Sequence, residues 1–274
     1  MDKVLIFDAM NAMHRARFPF ADGKYSVVYN FFRNLRPLVE KFSPNKIYFV
    51  FEGHPKFRYD LYPAYKGNRI VKVGTVDGDI KKEKLDDFYV QSEIIIKLLS
   101  CIPCTLVKAD AYEADDVIAS LVNDLSQEDI TVISSDTDFI QLLQLGYNNI
   151  KLYNPIKKEF ATAPDYNYLA WKILAGDKTD NIPKLLSDAK ALKMVTDPVS
   201  LEKFLELEEN RANFSINTSL IKFANVPLED FVIDQKLPNF EQLKIEFNSM
   251  EFSSITNEKS WDKFVSTFNL EASK

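Results

Sequence analysis

Residues 3–9, KVLIFDA, run through four apolar side chains and stop at an aspartate. A short apolar run bounded by polar residues predicts a buried β-strand. The same pattern returns in residues 47–52, IYFVFE, and in residues 130–136, ITVISSD. Residues 25–42 carry apolar side chains at helical spacing between the first two runs. Strands that alternate with helices predict an α/β fold with a mainly parallel central sheet flanked by helices.

The rest of the first half keeps this alternation. Further helices are predicted over residues 88–100, 111–125 and 137–144, and further strands over residues 105–107 and 149–153. Residues 53–87 show no clean period and predict a long connection, a kind of segment that is often functional. Residues 1–164 form the predicted core, and residues 165–274 form a predicted helical C-terminal region.

The composition is that of an ordinary globular protein. The chain has 274 residues, of which 46% are hydrophobic and 27% charged, and this length can bury a sizeable core. The N-terminus opens with an acidic residue and has only a short apolar run, so we expect no signal peptide. No apolar stretch approaches the roughly 18 residues of a membrane span, so no membrane partner is expected. Two cysteines without an export signal predict a cytoplasmic protein.

Acidic residues follow the predicted strands and open some of the predicted helices. They are Asp8, Glu52, Glu113, Asp115, Asp116, Asp136, Asp138, Asp177 and Asp180. Parallel sheets bind ligands beyond the carboxyl ends of their strands, so we expect these carboxylates to share one cleft. Like charges in one site raise each other's pKa and repel. A divalent cation offsets that repulsion, and oxygen ligands suit Mg²⁺, with Mn²⁺ as a substitute.

Each acidic motif also has a purely structural interpretation. Asp8 is suited to cap the next helix, and it stands where a phosphatase has an aspartyl nucleophile. The second aspartate that such enzymes have two positions later is Met10 here, which weakens that alternative. EADD at 113–116 is also typical of an acidic first helical turn. SSDTDF at 134–139 is also typical of a turn and helix cap, and GDKTDN at 176–181 of a turn after a C-cap glycine.

Basic residues concentrate between positions 66 and 84, although the net charge of the chain is −6. They are Lys66, Arg69, Lys72, Lys81, Lys82 and Lys84. A globally acidic protein can carry a local basic track for phosphates. Residues 65–69, YKGNR, set an aromatic ring beside cations, as single-stranded nucleic-acid binding requires. Taken alone, this stretch is more typical of a solvated basic loop.

Cys101 and Cys104 have the spacing of a redox or zinc motif. A structural zinc site needs about four ligands, and the two histidines of the chain, His14 and His54, lie in other segments. We therefore expect two semi-buried cysteines between a helix and a strand.

Five stretches together resemble one family. They are FDAMNAMHRARF at 7–18, VFEGHPKFRYDLYPAYKGNR at 50–69, DAYEADDVIASL at 110–121, VISSDTDFIQLL at 132–143 and KILAGDKTDNIP at 172–183. The chain resembles the 5′-nuclease superfamily, which comprises flap endonucleases, the 5′→3′ exonuclease domain of bacterial DNA polymerase I and their bacteriophage relatives. The resemblance implies a PIN-like core with a helical arch over residues 66–87, which we expect to be mobile without substrate.

The resemblance implies two metal ions and the residues that bind each of them. A first ion would be held by Asp8, Glu113, Asp115, Asp116 and Asp136, and a second by Asp138, Asp177 and Asp180. Glu52 matches a further ligand that is usually aspartate in the family. Its extra methylene shifts the position of the carboxylate, and the metal at that position is expected to shift or to bind differently through water.

The resemblance also implies contacts to nucleic acid. Lys66 and Arg69 match basic residues at the base of the arch, with Lys66 on the scissile phosphate, and join Asp8 and Asp136 as expected catalytic residues. Tyr65 is expected to stack on the terminal base, and Arg58 to contact a second phosphate. Lys72, Lys81, Lys82 and Lys84 are expected to bind nucleic acid along the arch.

The sequence departs from the family after DNIP at 180–183. The family continues with a glycine-rich hairpin whose amides hold K⁺ and a duplex phosphate, whereas this chain has no glycine in residues 184–195. Residues other than glycine disfavour the positive φ angles of such a hairpin, so a K⁺ site is doubtful. Lys184, Lys190 and Lys193 are either substitute phosphate contacts or, as we favour, ordinary surface lysines.

The function implied by the resemblance is that of a structure-specific 5′ nuclease, a flap endonuclease or 5′→3′ exonuclease. Its expected substrates are DNA with a 5′ flap or 5′ end and RNA in RNA–DNA hybrids, as in RNase H-type primer removal during replication or repair. We expect a monomer that works with a single-strand-binding protein, a clamp or a polymerase. The size is that of bacteriophage members, which would act in the host cytoplasm.

Two alternatives remain open. The Glu52 replacement and the missing glycines also suit a nucleic-acid-binding protein of the same fold with weakened or absent catalysis. A nuclease of this fold that acts on RNA rather than DNA is the other alternative.

Overall fold

The computed structural model describes residues 1–18, 23–69 and 76–270. Within these residues a seven-stranded sheet has the order β6-β5-β4-β1-β2-β3-β7. The strands are β1 (Lys3–Asp8), β2 (Lys46–Phe51), β3 (Cys104–Lys108), β4 (Asp129–Ile133), β5 (Ile150–Asn154), β6 (Glu159–Phe160) and β7 (Val232–Lys236). The five inner strands run parallel, and the edge strands β6 and β7 pair antiparallel. The expected α/β fold with a mainly parallel sheet is confirmed.

Helices cover both faces of the sheet. They are α1 (Ala9–Ala16), α2 (Ser26–Phe42), α3 (Lys56–Leu61), α4 (Val76–Leu99), α5 (Ala114–Asp124), α6 (Tyr168–Ala175), α7 (Asp188–Thr196), α8 (Pro198–Glu206), α9 (Glu208–Ile221), α10 (Phe240–Ser249), α11 (Ser253–Thr256) and α12 (Glu258–Thr267). Short 3₁₀ helices span Gly67–Arg69, Asp138–Gln144 and Leu228–Asp230.

Alternate side chains of each inner strand enter two separate cores. Phe7 stacks on Phe49 with ring centroids 4.9 Å apart and belongs to the core beneath α2 and α4. Val4 and Ile6 point to the other face, where they pack against Val117 of α5. Side chains of a strand alternate between faces, so a parallel strand buried on both sides must be apolar throughout. This explains the uninterrupted apolar runs in the sequence.

The segment 53–87 is more helical than expected. It contains α3, and α4 begins at Val76, twelve positions before the predicted start at residue 88. Residues 79–84 of this helix are exposed. Without a buried face they carry no apolar period, which is why the pattern missed them. Residues 70–75, which include Lys72, lie outside the described residues, and the mobility of the arch stays a prediction.

The C-terminal region is not purely helical, which corrects the expectation for residues 165–274. Strand β7 extends the core sheet through antiparallel pairing with β3. Phe247 of α10 packs edge-on against Phe32 of α2 at 5.0 Å, so this region completes the core beneath α2. The division at residue 164 stays a prediction.

The site is positioned by the carboxyl edge of the sheet. Strand β1 ends at Asp8, β2 ends one residue before Glu52, and β4 ends just before Ser134. A helix was predicted over residues 137–144, and Asp138–Gln144 form the second 3₁₀ helix of the described residues. In the part of the chain that the structure describes, no helix is both long and apolar enough to cross a bilayer.

The two cysteines lie where α4 is joined to β3, with Cys101 in the turn and Cys104 as the first residue of the strand. Cys101 is half-buried, and Cys104 is buried at the start of β3. Burial raises the pKa of the Cys104 thiol to about 12, and a thiol that stays protonated is a poor nucleophile and metal ligand.

Candidate active site

A cleft of about 670 Å³ opens at the carboxyl edge of the sheet. Eight of the nine predicted acidic ligands line it, namely Asp8, Glu52, Glu113, Asp115, Asp136, Asp138, Asp177 and Asp180, and Asp116 does not. Lys66, Arg69 and Lys172 line it as well. Residues from five separate stretches of the sequence therefore meet in one concave site.

Asp8 forms the floor of the cleft and also caps α1. Its Oδ1 accepts a hydrogen bond from the Asn11 amide at 2.9 Å, and its Oδ2 accepts one from the Ser134 hydroxyl at 3.3 Å. Burial raises the pKa of Asp8 to about 7, and the charges of Glu52 and Asp136 add to the rise. Asp8 therefore both caps α1 and contributes a carboxylate to the cleft.

Asp115 occupies the first turn of α5 and faces the same floor. Burial raises its pKa well above the usual value, and the nearby charges of Asp136 and Asp8 raise it further. Glu52 reaches the start of the same helix, where its Oε2 accepts a hydrogen bond from the Ala114 amide at 3.1 Å. The longer side chain of Glu52 is thus used to hold the N-terminus of α5.

Lys172 is a cation that the sequence reasoning missed. Its Nζ lies 2.8 Å from Asp138 Oδ1 and 2.7 Å from Asp177 Oδ2, and its side chain is only 13% exposed. Although burial opposes it, the two carboxylates raise the pKa of Lys172. Lys172 begins the quoted stretch KILAGDKTDNIP, and its place on α6 five residues before Asp177 was the available signal.

The loop after α6 carries Asp177 and Asp180. It begins at Gly176, whose φ of +70° is unfavourable for other residues. A Cβ atom there would also lie 2.6 Å from the Pro183 carbonyl oxygen. Asp177 Oδ1 accepts hydrogen bonds from the amides of Thr179 at 2.6 Å and Asp180 at 3.2 Å. The C-cap glycine interpretation is confirmed, and the turn it starts places both carboxylates in the cleft.

The loop that contains Lys66 and the loop that contains Asp180 are joined by hydrogen bonds beside the cleft. The Lys66 amide donates to the Asp180 carbonyl oxygen at 2.9 Å, and Asn68 Nδ2 donates to the Lys178 carbonyl oxygen at 2.7 Å. Arg69 also pairs with the Asp180 carboxylate. The basic residues of YKGNR are therefore held against the acidic loop. Lys66 Nζ reaches Glu113 Oε1 at 2.5 Å, so it already faces the carboxylates.

The structure corrects the predictions for Asp116 and Arg58. Arg58 is 2% exposed, which excludes the expected contact to a second phosphate. Its Nη1 and Nη2 bind Asp116 Oδ2 and Oδ1 at 2.6 and 2.7 Å. Asp116 Oδ1 accepts a further hydrogen bond from the Ala224 amide at 2.7 Å. With both oxygens engaged in the interior, Asp116 does not face the cleft as a metal ligand.

Tyr65 also differs from its predicted role. It is 3% exposed and belongs to a small core with Ile173, Ile182 and Leu220, so its ring cannot stack on a terminal base. Its hydroxyl donates to Glu113 Oε2 at 2.9 Å. Tyr65 therefore orients a cleft carboxylate from behind.

The remaining predicted nucleic-acid contacts lie away from the floor. Lys81, Lys82 and Lys84 are exposed on α4 and do not line the cleft, and Lys72 is outside the described residues. Lys184 pairs with Asp188 at 2.7 Å on the surface. Lys190 and Lys193 are exposed on α7, as ordinary surface lysines are.

Arg15 on α1 is a second residue that the sequence reasoning missed. Its Nη1 is buried and has no hydrogen-bond partner among the described residues. Burial lowers the pKa of Arg15 to about 10, and the charge of Asp8 opposes that shift. Arg15 lies two helical turns after Asp8, in the quoted stretch FDAMNAMHRARF, and this spacing was its only signal.

The carboxylate oxygens that line the cleft are chemically suited to bind a divalent cation. The carboxylates are hard oxygen donors, and burial raises the pKa values of Asp8, Glu52, Asp115 and Asp138. As arranged in residues 1–18, 23–69 and 76–270, no three His, Cys, Asp or Glu side chains are placed to hold one ion. Lysine and arginine partners engage Glu113, Asp138, Asp177 and Asp180 instead. Binding of an ion therefore requires some carboxylates to leave these partners.

The fold and the cleft define an α/β protein with a carboxylate site at the carboxyl edge of a parallel sheet. The sequence model of the family described as "5′-3′ exonuclease, N-terminal resolvase-like domain" matches residues 3–169, more than half of the chain. The chain belongs to this family.

Named relatives are consistent with this assignment. The 5′-3′ exonuclease of Aquifex aeolicus is 26% identical over 293 aligned positions, which cover 94% of this chain and 95% of the relative. The thermostable DNA polymerase I of Thermus filiformis is 24% identical, and the DNA polymerase I of Streptococcus pneumoniae is 29% identical. The matches cover 85% and 80% of this chain but only 29% and 26% of those polymerases.

Solved structures share the fold. The bacteriophage T5 flap endonuclease, in a pseudo-enzyme–product complex with DNA and metal ions, superposes with a TM-score of 0.67 at 16% identity. That match covers 99% of this chain and 98% of the other. The catalytic core of Rad2 in complex with DNA substrate superposes with a TM-score of 0.56 at 14% identity, covering 97% and 92% of the two chains.

Proposed function

We propose that this protein is a metal-dependent, structure-specific 5′ nuclease that hydrolyses phosphodiesters in DNA bearing a 5′ flap or a 5′ end. The observation that carries the proposal is that Asp8, Asp115, Asp136 and Lys66 line one cleft, in which burial and the charges of Asp136 and Asp8 raise the pKa of Asp115. A pure binding protein has no use for buried carboxylates that repel the phosphates of its ligand. The family assignment adds independent support.

The proposed cofactor is a pair of divalent cations, Mg²⁺ with Mn²⁺ as a substitute. Asp8, Glu113, Asp115 and Asp136 would hold one ion, and Asp138, Asp177 and Asp180 the other, with Glu52 as an outer partner. When bound, two such ions lower the pKa of a water molecule and stabilise charge on the leaving oxygen. The Arg58–Asp116 pair supports this set from behind through Glu113, to which Arg58 Nη1 donates at 2.8 Å.

Two cations of the chain are proposed to bind the scissile phosphate and its neighbours. Lys66 and Arg69 are held on the loop beside the carboxylates. A phosphate that enters the cleft offers Lys66 an acceptor in place of Glu113, which frees that carboxylate. Fixed cations at a phosphoryl group stabilise the charge that develops during hydrolysis.

A 5′-labelled flap duplex tests the activity directly. We expect cleavage near the junction in Mg²⁺ and none in EDTA, and we expect the same protein to bind the duplex in EDTA. Binding without cleavage in any divalent metal would favour the alternative, a binding protein of the same fold. A flapless duplex of the same sequence is the matched control for structure specificity.

The proposed natural substrate is based on the proteins to which this chain is similar. DNA polymerase I relatives carry the matching segment beside much longer additional sequence. We propose that this protein removes RNA primers or 5′ flaps during replication, in concert with polymerase activity. An RNA–DNA hybrid compared with all-DNA and all-RNA flaps distinguishes primer removal from a strict DNA or RNA preference.

A further inference from the structure

Two asparagine side chains connect the loop that carries Lys66 to the loop after α6. Asn68 Nδ2 donates to the Lys178 carbonyl oxygen, and Asn181 Nδ2 donates to the Ala64 carbonyl oxygen, each at 2.7 Å. The two hydrogen bonds run in opposite directions, so each loop supplies one donor and one acceptor. A reciprocal pair of this kind resists both separation and sliding of the two loops.

A third hydrogen bond lies between the first two and fixes an unfavourable backbone. The Lys66 amide donates to the Asp180 carbonyl oxygen at 2.9 Å. Lys66 and Asn181 both have positive φ, +54° and +59°. Asparagine is enriched in this left-handed region, whereas lysine is uncommon there, and such a conformation persists only where the surrounding contacts determine it. We call these three hydrogen bonds the amide clasp.

The amide clasp contains no charged group. Its donors are amides and its acceptors are backbone carbonyl oxygens, so an ion or a phosphate in the cleft does not compete for them. The charged side chains beside it are paired with one another instead. Arg69 pairs with the Asp180 carboxylate, and Lys66 pairs with Glu113. The neutral contacts can therefore stay while the ionic contacts change partners.

The Asp180 carboxylate has two competing uses. It is one of the three carboxylates proposed for the second cation, and in the metal-free protein it binds Arg69. When Asp180 gives its oxygens to a cation, the Arg69 guanidinium becomes available to a phosphate, and a phosphate on Arg69 likewise frees Asp180. Two ligands that each release the group needed by the other bind cooperatively, and the coupling is reciprocal.

We propose that Asn68 and Asn181 are positioning residues that couple binding of the second divalent cation to binding of the scissile phosphate. While Arg69 and Asp180 exchange partners, the amide clasp keeps their loops at one separation, so the released guanidinium stays within reach of the phosphate. The proposal rests on the proposed function and assigns the coupling to two uncharged side chains outside the ligand set.

The coupling is measured as a ratio of two Mn²⁺ affinities. We expect the second ion to bind more weakly than the first, because all three of its carboxylates are already paired with Lys172 or Arg69. Electron paramagnetic resonance of free Mn²⁺ gives this weaker affinity for the protein alone. The Mn²⁺ dependence of single-turnover cleavage gives it for the protein saturated with flap duplex, since cleavage requires both ions.

The wild-type protein provides the first test. We expect the flap duplex to tighten the weaker Mn²⁺ site by at least about tenfold. Equal Mn²⁺ affinities with and without the duplex would overturn the proposal, because there would be no coupling for the amide clasp to maintain.

The double variant Asn68→Ala and Asn181→Gly provides the second test. Glycine adopts the φ of +59° at position 181 without strain, so only the side-chain amide is lost there. Loss of two hydrogen bonds should lower the affinity ratio by about tenfold. The Mn²⁺ affinity without DNA should stay within about twofold of wild type, and so should the flap affinity in EDTA, measured by fluorescence anisotropy. Each single variant should give an intermediate ratio.

Asn248→Ala is the matched control. Asn248 is exposed on α10 and does not line the cleft, so its loss should leave the ratio unchanged. A double variant with the wild-type ratio would contradict the assignment. So would a double variant whose Mn²⁺ affinity falls equally with and without the duplex, because the asparagines would then act on the metal site alone.

The outcome is separable from that of the proposed function. A wild-type protein that cleaves no flap in any divalent metal refutes the nuclease proposal and the coupling with it. A wild-type protein that cleaves flaps, with the double variant equal to it in the ratio of Mn²⁺ affinities, refutes only the role of the amide clasp.

Discussion

The Arg58 guanidinium binds both carboxylate oxygens of Asp116, at 2.6 and 2.7 Å, in the interior behind the cleft. The two side chains are 2% and 0% exposed. The pair ties α3 to the first turn of α5, and therefore fixes the loop before Tyr65 relative to Glu113. A residue that matches the metal ligands of the family is thus used as a structural anion.

Removing one partner of this pair should destabilise the fold strongly. Arg58→Met leaves the Asp116 carboxylate buried without its cation, for which we expect a loss of about 3–5 kcal/mol in unfolding free energy. Urea denaturation followed by circular dichroism measures it. Lys56→Met, which removes an exposed pair with Asp60, is the control and should change stability by less than about 1 kcal/mol. A small loss for Arg58→Met would refute the structural role.

The pKa values of the carboxylates predict how the stability of the metal-free protein depends on pH. Burial and neighbouring charges raise the pKa of Asp8 to about 7, above about 3.9 in an unfolded chain. The stability that protonation of Asp8 contributes is therefore complete below pH 4 and is lost as the pH rises through 7. In EDTA the melting temperature should fall between pH 5 and pH 8.

Two comparisons check the cause of this pH dependence. Asp8→Asn removes the titrating group and should flatten the fall, and Mg²⁺ should raise the melting temperature more at pH 8 than at pH 5, because bound metal favours the ionised carboxylates. A melting temperature that rises steadily from pH 5 to pH 8 in EDTA would contradict the buried carboxylate cluster.

Asp136 should be essential for cleavage but not for binding. Asp136→Asn removes one charge from the floor while keeping nearly the same shape, so we expect cleavage of the flap duplex to disappear and affinity in EDTA to stay roughly the same. Single-turnover kinetics measure the cleavage rate, and fluorescence anisotropy measures the affinity for the same substrate. Unchanged activity of Asp136→Asn would count heavily against the metal assignment.

Replacing Lys66 should lower the cleavage rate more than it weakens substrate binding. Its ammonium lies beside Glu113 and is proposed to stabilise charge on the scissile phosphate, for which a loss of about 10²–10³-fold in cleavage rate is typical. Lys66→Ala should lower the cleavage rate at saturating enzyme far more than it weakens binding. A loss confined to affinity would show that Lys66 is only a phosphate anchor.

The sequence predicted the sheet and the cleft because both depend on strong local patterns. Apolar runs that end in carboxylates define the strands and place Asp8, Glu52 and Asp136 at one edge. The same reasoning could not separate Asp115 from Asp116. The two are neighbours in the first turn of α5, and only tertiary contacts decide that Asp116 turns inward to Arg58. Tyr65 was misplaced for the same reason, because burial of a ring depends on partners as distant as Leu220.

Lys172 shows a second limit of prediction from a sequence pattern. It stands among apolar residues of α6, where a lone lysine is typical of a helix surface, and only the fold of the following loop brings Asp177 to it. The early start of α4 was missed because residues 79–84 of this helix are all exposed and therefore carry no apolar period. What a local pattern cannot show is the partner that a charged or aromatic residue meets across the fold.

The most direct test of the account is a crystal soaked in Mn²⁺ and measured at the manganese absorption edge. We predict two anomalous peaks in the cleft about 3.5–4 Å apart, the first bounded by Asp8, Asp115 and Asp136 and the second by Asp138, Asp177 and Asp180. The first peak should disappear in the double variant Asp8→Asn and Asp136→Asn, which removes two of its three bounding carboxylates. A cleft without anomalous density in the wild-type protein would contradict the account.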